Sequence, residues 1–143
     1  MAFRGEHKHS LDVKSRLILP IKFREELGES IILTKGIDTC LFGFTAQAFA
    51  ALEEKVRDLP MTNESLRHFV RFFFGSSDER EFDSHGRVVI VQNLREYAQI
   101  TKDVVVLGLP NRIEIWAADK WDKYTNSNHI DSNIAAQMAE LGI

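Results

Sequence analysis

A chain of 143 residues with 44% hydrophobic side chains is long enough to bury a core of its own, so it needs no disulfide or metal in order to fold. A net charge of −3 and an isoelectric point near 5.9 exclude a uniformly basic surface, and no apolar run reaches the ~18 residues of a membrane span. The charge is nevertheless uneven, because residues 1–24 carry an excess of four positive charges and the remainder carries −7. This polarity permits a local anion-binding face, although a solvated charged terminus is the alternative.

The single cysteine, Cys40, can form no disulfide within the chain, and it lies in an apolar run. A buried, unreactive thiol is the expected outcome. The first ten residues are charged and rich in histidine, with no apolar segment of the kind that directs export. We therefore expect a soluble protein of the reducing cytoplasm.

Taken from the amino end, the first half of the chain predicts a charged loop, a short apolar strand, a brief helix and then two more strands. The loop spans 12–16, the helix 23–27, and the two strands 31–34 and 41–44. A turn that contains Gly36 joins these two strands.

Two helices are predicted next, from apolar residues at helical spacing. The first stops at Pro60, and the second extends from a Thr62 cap to a stop at Gly75. The tail of the chain becomes polar over 125–129, which we interpret as a linker, and then predicts a last helix over 134–141.

The second half repeats the first at an offset of 71 residues. Asp12 and Arg16 align with Asp83 and Arg87, and apolar residue types are kept between the matched charges. After a slip of one residue, the alignment pairs Gly36, Leu41, Phe44 and Phe49 with Gly108, Ile113, Trp116 and Trp121. The second copy thus predicts a helix over 94–98 and strands over 104–107 and 113–116. We therefore predict an α+β fold built from two copies of one supersecondary unit.

The Asp-x-x-x-Arg pattern in each loop suits both a tight turn and the recognition of an anion. An Asp carboxylate can accept hydrogen bonds from backbone N–H groups a few residues later, while an Arg offers a planar set of donors to phosphate or to guanine. An internal salt bridge that locks the hairpin is the alternative. Both interpretations can hold together, with the Asp structural and the Arg shared.

The first loop is the more cationic of the two. It contains Lys14 and Arg16, whereas Arg87 and His85 in the second loop lie in an acidic setting. The candidate DNA-binding residues are Arg16, Lys14, Ser15, Arg4, Lys8, Arg87 and His85, of which Arg4 and Lys8 are candidate phosphate contacts. Asp12 and Asp83 are the candidate structural carboxylates of the loops.

Three weaker patterns have simpler explanations. His7-x-His9 could chelate a metal, but it lacks further ligands, and exposed terminal histidines are the expected state. Asp83-Ser84-His85 contains the residue types of a hydrolase triad, yet adjacent residues on a loop point apart, so we interpret it as a turn. The run Phe72-Phe73-Phe74 could stack on bases, but without interleaved basic residues it favours a core or a subunit interface.

A framework that extends over nearly the whole chain, to about Tyr124, resembles the MraZ family. It comprises Phe3-Arg4-Gly5, Leu11-Asp12, Arg16-Leu17, Leu19-Pro20, Phe23-Arg24, the segment 67–75, Asp83-Ser84-His85-Gly86-Arg87, Leu94-Arg95-Glu96-Tyr97-Ala98, Thr101-Lys102 and Glu114-Ile115-Trp116. Two positions depart from the family pattern: Ser15 occupies a usual glycine, and Val91 replaces a common proline. Because serine adopts a positive φ at a higher cost than glycine, we expect the first loop to differ slightly in shape.

The resemblance implies two tandem AbrB-like swapped-hairpin β-barrel halves with short helices, related by a pseudo-two-fold axis within one chain. On this basis we expect a first repeat (1–55), a connecting helical segment (56–77), a second repeat (78–125) and a partly helical tail (126–143). The resemblance also implies a homo-oligomeric ring that binds short direct repeats of double-stranded DNA in a promoter region. The regulated genes would be those of the division and cell-wall cluster, including the protein's own gene, and the protein would be nucleoid-associated.

A sequence-specific regulator of transcription is therefore our first hypothesis. The alternative is an oligomeric assembly or adaptor protein that uses its hairpin modules only for self-association. An enzyme is the least favoured class, since neither a phosphate-cradling glycine loop nor a pair of catalytic acids is present in the sequence. We predict no catalytic residue, metal, cofactor, small-molecule substrate or membrane partner.

Overall fold

The computed structural model describes residues 3–127 and 132–143. The first series of elements comprises β1 (Gly5–Ser10), β2 (Arg16–Ile18), α1 (Ile21–Leu27), β3 (Ser30–Lys35), a 3₁₀ turn (Ile37–Thr39), β4 (Leu41–Phe44), α2 (Ala46–Arg57) and α3 (Glu64–Phe73). The second comprises β5 (Asp78–Glu81), β6 (Arg87–Val89), α4 (Gln92–Ala98), β7 (Asp103–Leu109), β8 (Arg112–Ala117), α5 (Ala118–Ser127) and α6 (Ser132–Glu140). Strands and helices follow the same order in both series, which confirms the predicted α+β fold and its duplication.

Two local predictions are wrong. The cap of α3 is Asn63 rather than Thr62, because Oδ1 of Asn63 accepts a hydrogen bond from the backbone N–H of Leu66 at 3.1 Å. The polar stretch 125–129 is helical where it is described, since 125–127 belong to α5 and residues 128 and 129 lie outside the described residues. The hydroxyl of Thr125 donates to the carbonyl of Trp121 at 2.9 Å, one turn earlier, so the side chain finds a partner without interrupting the helix.

The strands of the two repeats pair with each other. A two-stranded antiparallel ribbon joins β2 to β6, and a six-stranded antiparallel sheet has the order β1-β7-β8-β4-β3-β5. Among the described strands, the hairpins β3–β4 and β7–β8 are the pairs formed within one repeat, whereas β1 pairs with β7 and β5 pairs with β3. Each repeat therefore completes the sheet of the other. The outer strands β1 and β5 each have one neighbour in this order.

The pairing register places a pseudo-two-fold axis within the chain. Leu17 lies opposite Val88 at the centre of the ribbon, and these residue numbers differ by the repeat offset of 71. Phe42 lies opposite Glu114 at the centre of the β4–β8 pair, and these differ by 72, as the one-residue slip requires. The internal repeat thus appears in the structure as a symmetric interleaving of two copies.

The main core lies between the ribbon and the six-stranded sheet. Leu17 and Val88 from the ribbon pack there with side chains of the sheet such as Ile113 and Ile115, and all four are fully or almost fully buried. Burying a side chain of this size contributes ~1.5–3 kcal/mol, so the core holds the ribbon firmly against the sheet. The short strands of the ribbon could not persist in water without this support.

A second, smaller core attaches α2 and α3 to the sheet. Phe44 of β4 packs with Phe49 of α2 and Phe73 of α3, with ring centroids 5.8–5.9 Å apart. Of the aromatic run near the end of α3, Phe73 is buried, whereas Phe72 is exposed and its ring lies against that of Tyr97. The run therefore serves packing, as the sequence favoured.

Cys40 is fully buried, and its Sγ donates a hydrogen bond to the carbonyl of Ile37. Burial, with the nearby charges of Glu114 and Asp38, raises the pKa of the thiol and so disfavours the reactive thiolate. The expected burial of this cysteine is confirmed. Over 3–127 and 132–143, no helix combines the length and the apolar composition that would let it cross a membrane.

Candidate nucleic-acid interface

The Asp-x-x-x-Arg segment before β2, residues 12–16, is called loop 1 below. Oδ1 of Asp12 accepts hydrogen bonds from the backbone N–H groups of Lys14 and Arg16, both at 2.9 Å. Oδ2 of the same carboxylate accepts a hydrogen bond from Nε of Arg16 at 2.7 Å, and the N–H of Ser15 donates to the carbonyl of Asp12. One carboxylate therefore closes the turn and positions the guanidinium.

Residues 83–87, called loop 2, repeat this arrangement. Asp83 accepts from the backbone N–H groups of His85 and Arg87 at 2.9 Å and from Nε of Arg87 at 2.7 Å. Ser15 has a φ of 60°, and Gly86 at the matching position has a φ of 78°. The expected difference in loop shape is therefore wrong, because the Asp hydrogen bonds impose the left-handed conformation on Ser15 despite its side chain.

Both loop carboxylates are stabilised in their charged form. The backbone N–H of Arg87, followed by the Arg87 side chain and the N–H of His85, lowers the pKa of Asp83 to about 2, although desolvation opposes this shift. The corresponding groups of Arg16 and Lys14 lower the pKa of Asp12. Each Asp therefore remains ionised at neutral pH and keeps its Arg in place, so the internal salt bridge weighed from the sequence is confirmed.

Replacing both loop carboxylates, by Asp12→Ala and Asp83→Ala together, is expected to lower the melting temperature. Each substitution leaves two backbone N–H groups and one guanidinium without their acceptor. Thermal unfolding followed by circular dichroism measures the effect. The control is Glu54→Ala, which removes an exposed carboxylate paired with Arg57 on α2 and should leave the transition close to that of the wild type. A double mutant that melts like the wild type would show that the carboxylates do not hold the loops.

The register of the ribbon brings the two loops onto one surface. Arg16 lies opposite Val89 and Arg87 lies opposite Ile18, so these four residues share one face of the ribbon, while the central Leu17–Val88 pair points into the core. We call these four residues the ribbon face. Loop 1 and loop 2 enter it from opposite ends because the strands are antiparallel. The structure thus brings Arg16 and Arg87 together from positions 71 residues apart.

Both guanidiniums on the ribbon face retain donors for a ligand. The ion pair with Asp uses Nε in each case, and the Nη atoms make no hydrogen bond with another described residue. The side chains of Arg16 and Arg87 keep 24% and 27% of their surface exposed, so both can be reached in part from solvent. A guanidinium that is held at one edge and open at the other is preorganised to donate to an anion or to a base edge.

Two arginines that lie 71 residues apart, and that were not among the candidates, hold the chain just after each strand of the ribbon. Nε of Arg24 donates to the carbonyl of Leu19 at 3.0 Å, and Nε of Arg95 donates to the carbonyl of Ile90 at 2.9 Å. The guanidinium of Arg24 also lies against Gly86, where an added Cβ would come within 2.4 Å of Nη1. Helix α1 of one repeat therefore supports the loop of the other. The sequence offered one signal for these two residues, because arginine occupies both positions at the repeat offset of 71.

Substituting Ser15→Gly is expected to stabilise the protein by about 0.5–1 kcal/mol. Ser15 holds a positive φ that glycine adopts at lower cost, and loop 1 keeps its hydrogen bonds because they involve Asp12 and the backbone. Chemical denaturation measures the gain. The reverse change, Gly86→Ser, should destabilise, since its Cβ would collide with Arg24 as well as strain the backbone. Equal stability of all three proteins would contradict this account of Ser15.

The remaining candidate residues lie in two different parts of the structure, the loop tips and the edge of the six-stranded sheet. Lys14 and His85 are exposed at the two loop tips, and Ser84 Oγ lies 3.2 Å from His85 Nδ1. The expectation that the side chains of Ser84 and His85 point apart is therefore wrong. Asp83, however, accepts a hydrogen bond from the backbone N–H of His85 and not from its ring, so the segment is a turn and not a catalytic relay.

Arg4 and Lys8 belong to the edge of the six-stranded sheet. Lys8 is exposed on β1, opposite Val105. Arg4 precedes Gly5 at the end of β1 remote from loop 1, roughly 20 Å from Ser10 at ~3.3 Å per residue. Arg4 is therefore separated from loop 1 by the length of β1, whereas Lys8 lies in the half of the strand nearer to that loop. In the part of the chain that the structure describes, no three metal-ligating side chains cluster, at His7 and His9 or elsewhere.

Comparison with known proteins finds relatives over the full length of the chain. A family model described as "MraZ protein, putative antitoxin-like" matches twice, at residues 2–72 and 73–141. The chain is 51% identical over 141 residues to the transcriptional regulator MraZ of Clostridium tetani, covering 99% of both chains. It is 54% identical over 140 residues to the protein of the same description from Caldicellulosiruptor bescii, covering 97% of this chain and 98% of the relative. It is similar to the protein of Clostridium acetobutylicum as well, at 51% identity over 142 residues.

Proposed function

Because this chain belongs to the MraZ family, whose members are transcriptional regulators rather than enzymes, we propose that it regulates transcription by binding double-stranded DNA through the ribbon face and the two loop tips. The observation that carries the proposal is a pair of loops with the same hydrogen bonds, each holding one guanidinium by Nε and leaving its Nη groups without a partner among the described residues. Arg16 and Arg87 supply base or phosphate contacts, and Lys14, Ser15 and His85 supply further polar contacts at the tips.

The proposed binding mode is that of a β-ribbon reader. A two-stranded ribbon fits the major groove of B-form DNA, where each base pair presents a distinct pattern of donors and acceptors. The ribbon of this chain is short and stiffened from beneath by the buried Leu17 and Val88, so it can be presented to DNA without ordering first. Arg4 and Lys8, on the edge of the sheet, would meet phosphates outside the central contact or those of a neighbouring site.

The wider context of the proposal follows from the family. We propose that the protein forms a homo-oligomeric ring, so that several ribbon faces meet short direct repeats in one promoter region. The regulated genes are proposed to be those of the division and cell-wall cluster, including its own gene. The protein would then act in the cytoplasm, associated with the nucleoid.

The second candidate function is an adaptor that uses the hairpin modules only for self-association. Its support is the overall acidity of the chain, which has a net charge of −3 and would repel DNA at most of its surface. The open Nη groups of the ribbon face favour the DNA-binding proposal instead, since an adaptor has no need to leave them without partners.

Titration of a labelled duplex at two salt concentrations tests the proposal. The duplex would carry the promoter region of the protein's own gene, and the concentrations would be about 50 mM and about 200 mM, because the release of counterions from 6–10 phosphate contacts weakens binding by ~10³–10⁵ over that range. Self-association, measured in parallel by sedimentation, should change far less. Failure to bind the duplex at the lower concentration, with assembly intact, would favour the adaptor.

A further inference from the structure

Val13 at the tip of loop 1 is the most exposed of the large hydrophobic side chains that the structure describes. Its side chain is 100% exposed, while the next most exposed, at the carboxyl end of the chain, is Ile143 at 79%. It makes no contribution to the core, and the hydrogen bonds that fold the loop come from Asp12 and the backbone. Single exposed apolar residues are common on protein surfaces. This one, however, stands in a hydrogen-bonded loop between Asp12 and Lys14, in the same five-residue segment as Arg16.

We propose that Val13 is a specificity-determining residue that contacts the C5-methyl group of a thymine in the major groove. This inference rests on the proposed function. The thymine methyl is the one apolar group that base pairs present in that groove, and small apolar side chains are its complement. A β-branched side chain on a fixed backbone has few rotamers to lose, so the contact costs little conformational entropy. Val13 would then read a thymine close to the base or phosphate that Arg16 meets.

Loop 2 supplies an internal comparison. Ser84 occupies the position of Val13 at the repeat offset, and His85 that of Lys14. Since the loop hydrogen bonds have the same lengths in both copies, the two tips differ in chemistry and not in backbone shape. Only loop 1 presents an apolar group. The two tips related by the pseudo-two-fold axis therefore prefer different bases, and the site bound by one chain is not a palindrome.

The test removes the methyl group from the DNA and the valine from the protein. A preferred site is first selected from a pool of random duplexes with the wild-type protein. Each thymidine in that site is then replaced in turn by deoxyuridine, which lacks the C5-methyl group. We expect at least one replacement to weaken wild-type binding about fourfold for each engaged subunit, the value of one buried methylene-sized group. Val13→Ser, which copies loop 2, should bind the methylated and unmethylated sites equally.

Two further variants make the outcome specific. Val13→Thr preserves the shape of the side chain and one methyl group, so it should retain part of the sensitivity to deoxyuridine. Ser84→Val gives loop 2 the apolar tip of loop 1, and it should gain sensitivity at a second position. Because both positions are exposed, all variants are expected to melt and to sediment like the wild type.

The possible failures can be told apart. If no duplex is bound at low salt, the proposed function itself falls. If DNA is bound but the selected site contains no thymine, or deoxyuridine affects the wild type and Val13→Ser to the same extent, the role of Val13 is overturned while the DNA-binding function stands. Loss of assembly in Val13→Ser would also overturn it, because the side chain would then serve a protein contact.

Discussion

Replacing Arg16 by alanine is expected to abolish sequence-specific DNA binding while the protein remains folded. A bidentate arginine contact with a base is worth ~1–3 kcal/mol, and identical subunits on one promoter repeat the loss. The fold should survive because the two backbone hydrogen bonds to Asp12 do not involve the guanidinium, and the partly exposed ion pair that is lost contributes little. Fluorescence anisotropy with a promoter duplex measures the affinity, and thermal unfolding measures the fold.

The matched control for this substitution is Arg57→Ala. Arg57 pairs with Glu54 on the exposed side of α2, so its removal changes the net charge by the same amount and also breaks one exposed ion pair. It should reduce affinity only slightly. If a folded Arg16→Ala protein bound DNA with wild-type affinity, loop 1 would not be part of the interface. If both variants lost affinity equally, Arg16 would contribute only through the net charge.

Affinity for DNA is expected to rise steeply with the number of boxes on one duplex, where a box is one copy of the short direct repeat. It is expected to collapse when the boxes are out of phase. One ribbon face presents two guanidiniums, a small contact set that must first offset the loss of translational and rotational freedom. If subunits lie side by side in a ring, a second box is met at high effective concentration, and avidity raises binding by ~10²–10⁴. Boxes spaced by about one helical turn present the same groove to successive subunits, whereas ~5 inserted base pairs rotate alternate boxes to the far side.

The measurement compares duplexes that carry one, two and three boxes, in phase and out of phase, at a fixed salt concentration. Duplexes of equal length with scrambled boxes control for binding to the backbone alone. The same affinity for every duplex, whatever the number and phase of its boxes, would mean that the chain binds as an independent unit. The proposed ring would then have no part in recognition.

The loops show why part of the candidate site could be predicted from sequence. Asp12 and Arg16 are four residues apart, and the hydrogen bonds between them close within that segment, so the residue types and their spacing already define the turn. The same applies to Asp83 and Arg87. The short helices and the hairpins were predictable for the same reason, because apolar spacing and turn residues act within a few positions of the chain.

Other features depend on contacts that no local pattern reports. The shape of loop 1 could not be derived from Ser15 alone, since its cost at positive φ is smaller than the sum of the hydrogen bonds that Asp12 accepts. The position of Arg4 depends on the strand pairing of β1, which carries it away from a loop that lies close in sequence. The support that Arg24 gives to loop 2 joins residues of different repeats.

By itself, the sequence determined that the chain is a duplicated α+β unit with two Asp-x-x-x-Arg loops, because identity at a constant offset and local spacing are properties of the chain alone. Only the tertiary structure decided that β2 pairs with β6, and that Arg16 and Arg87 therefore share one face. Pairing between strands so far apart in the chain is selected by the burial of Leu17 and Val88 in a common core, a free energy that exists only once both repeats are folded together.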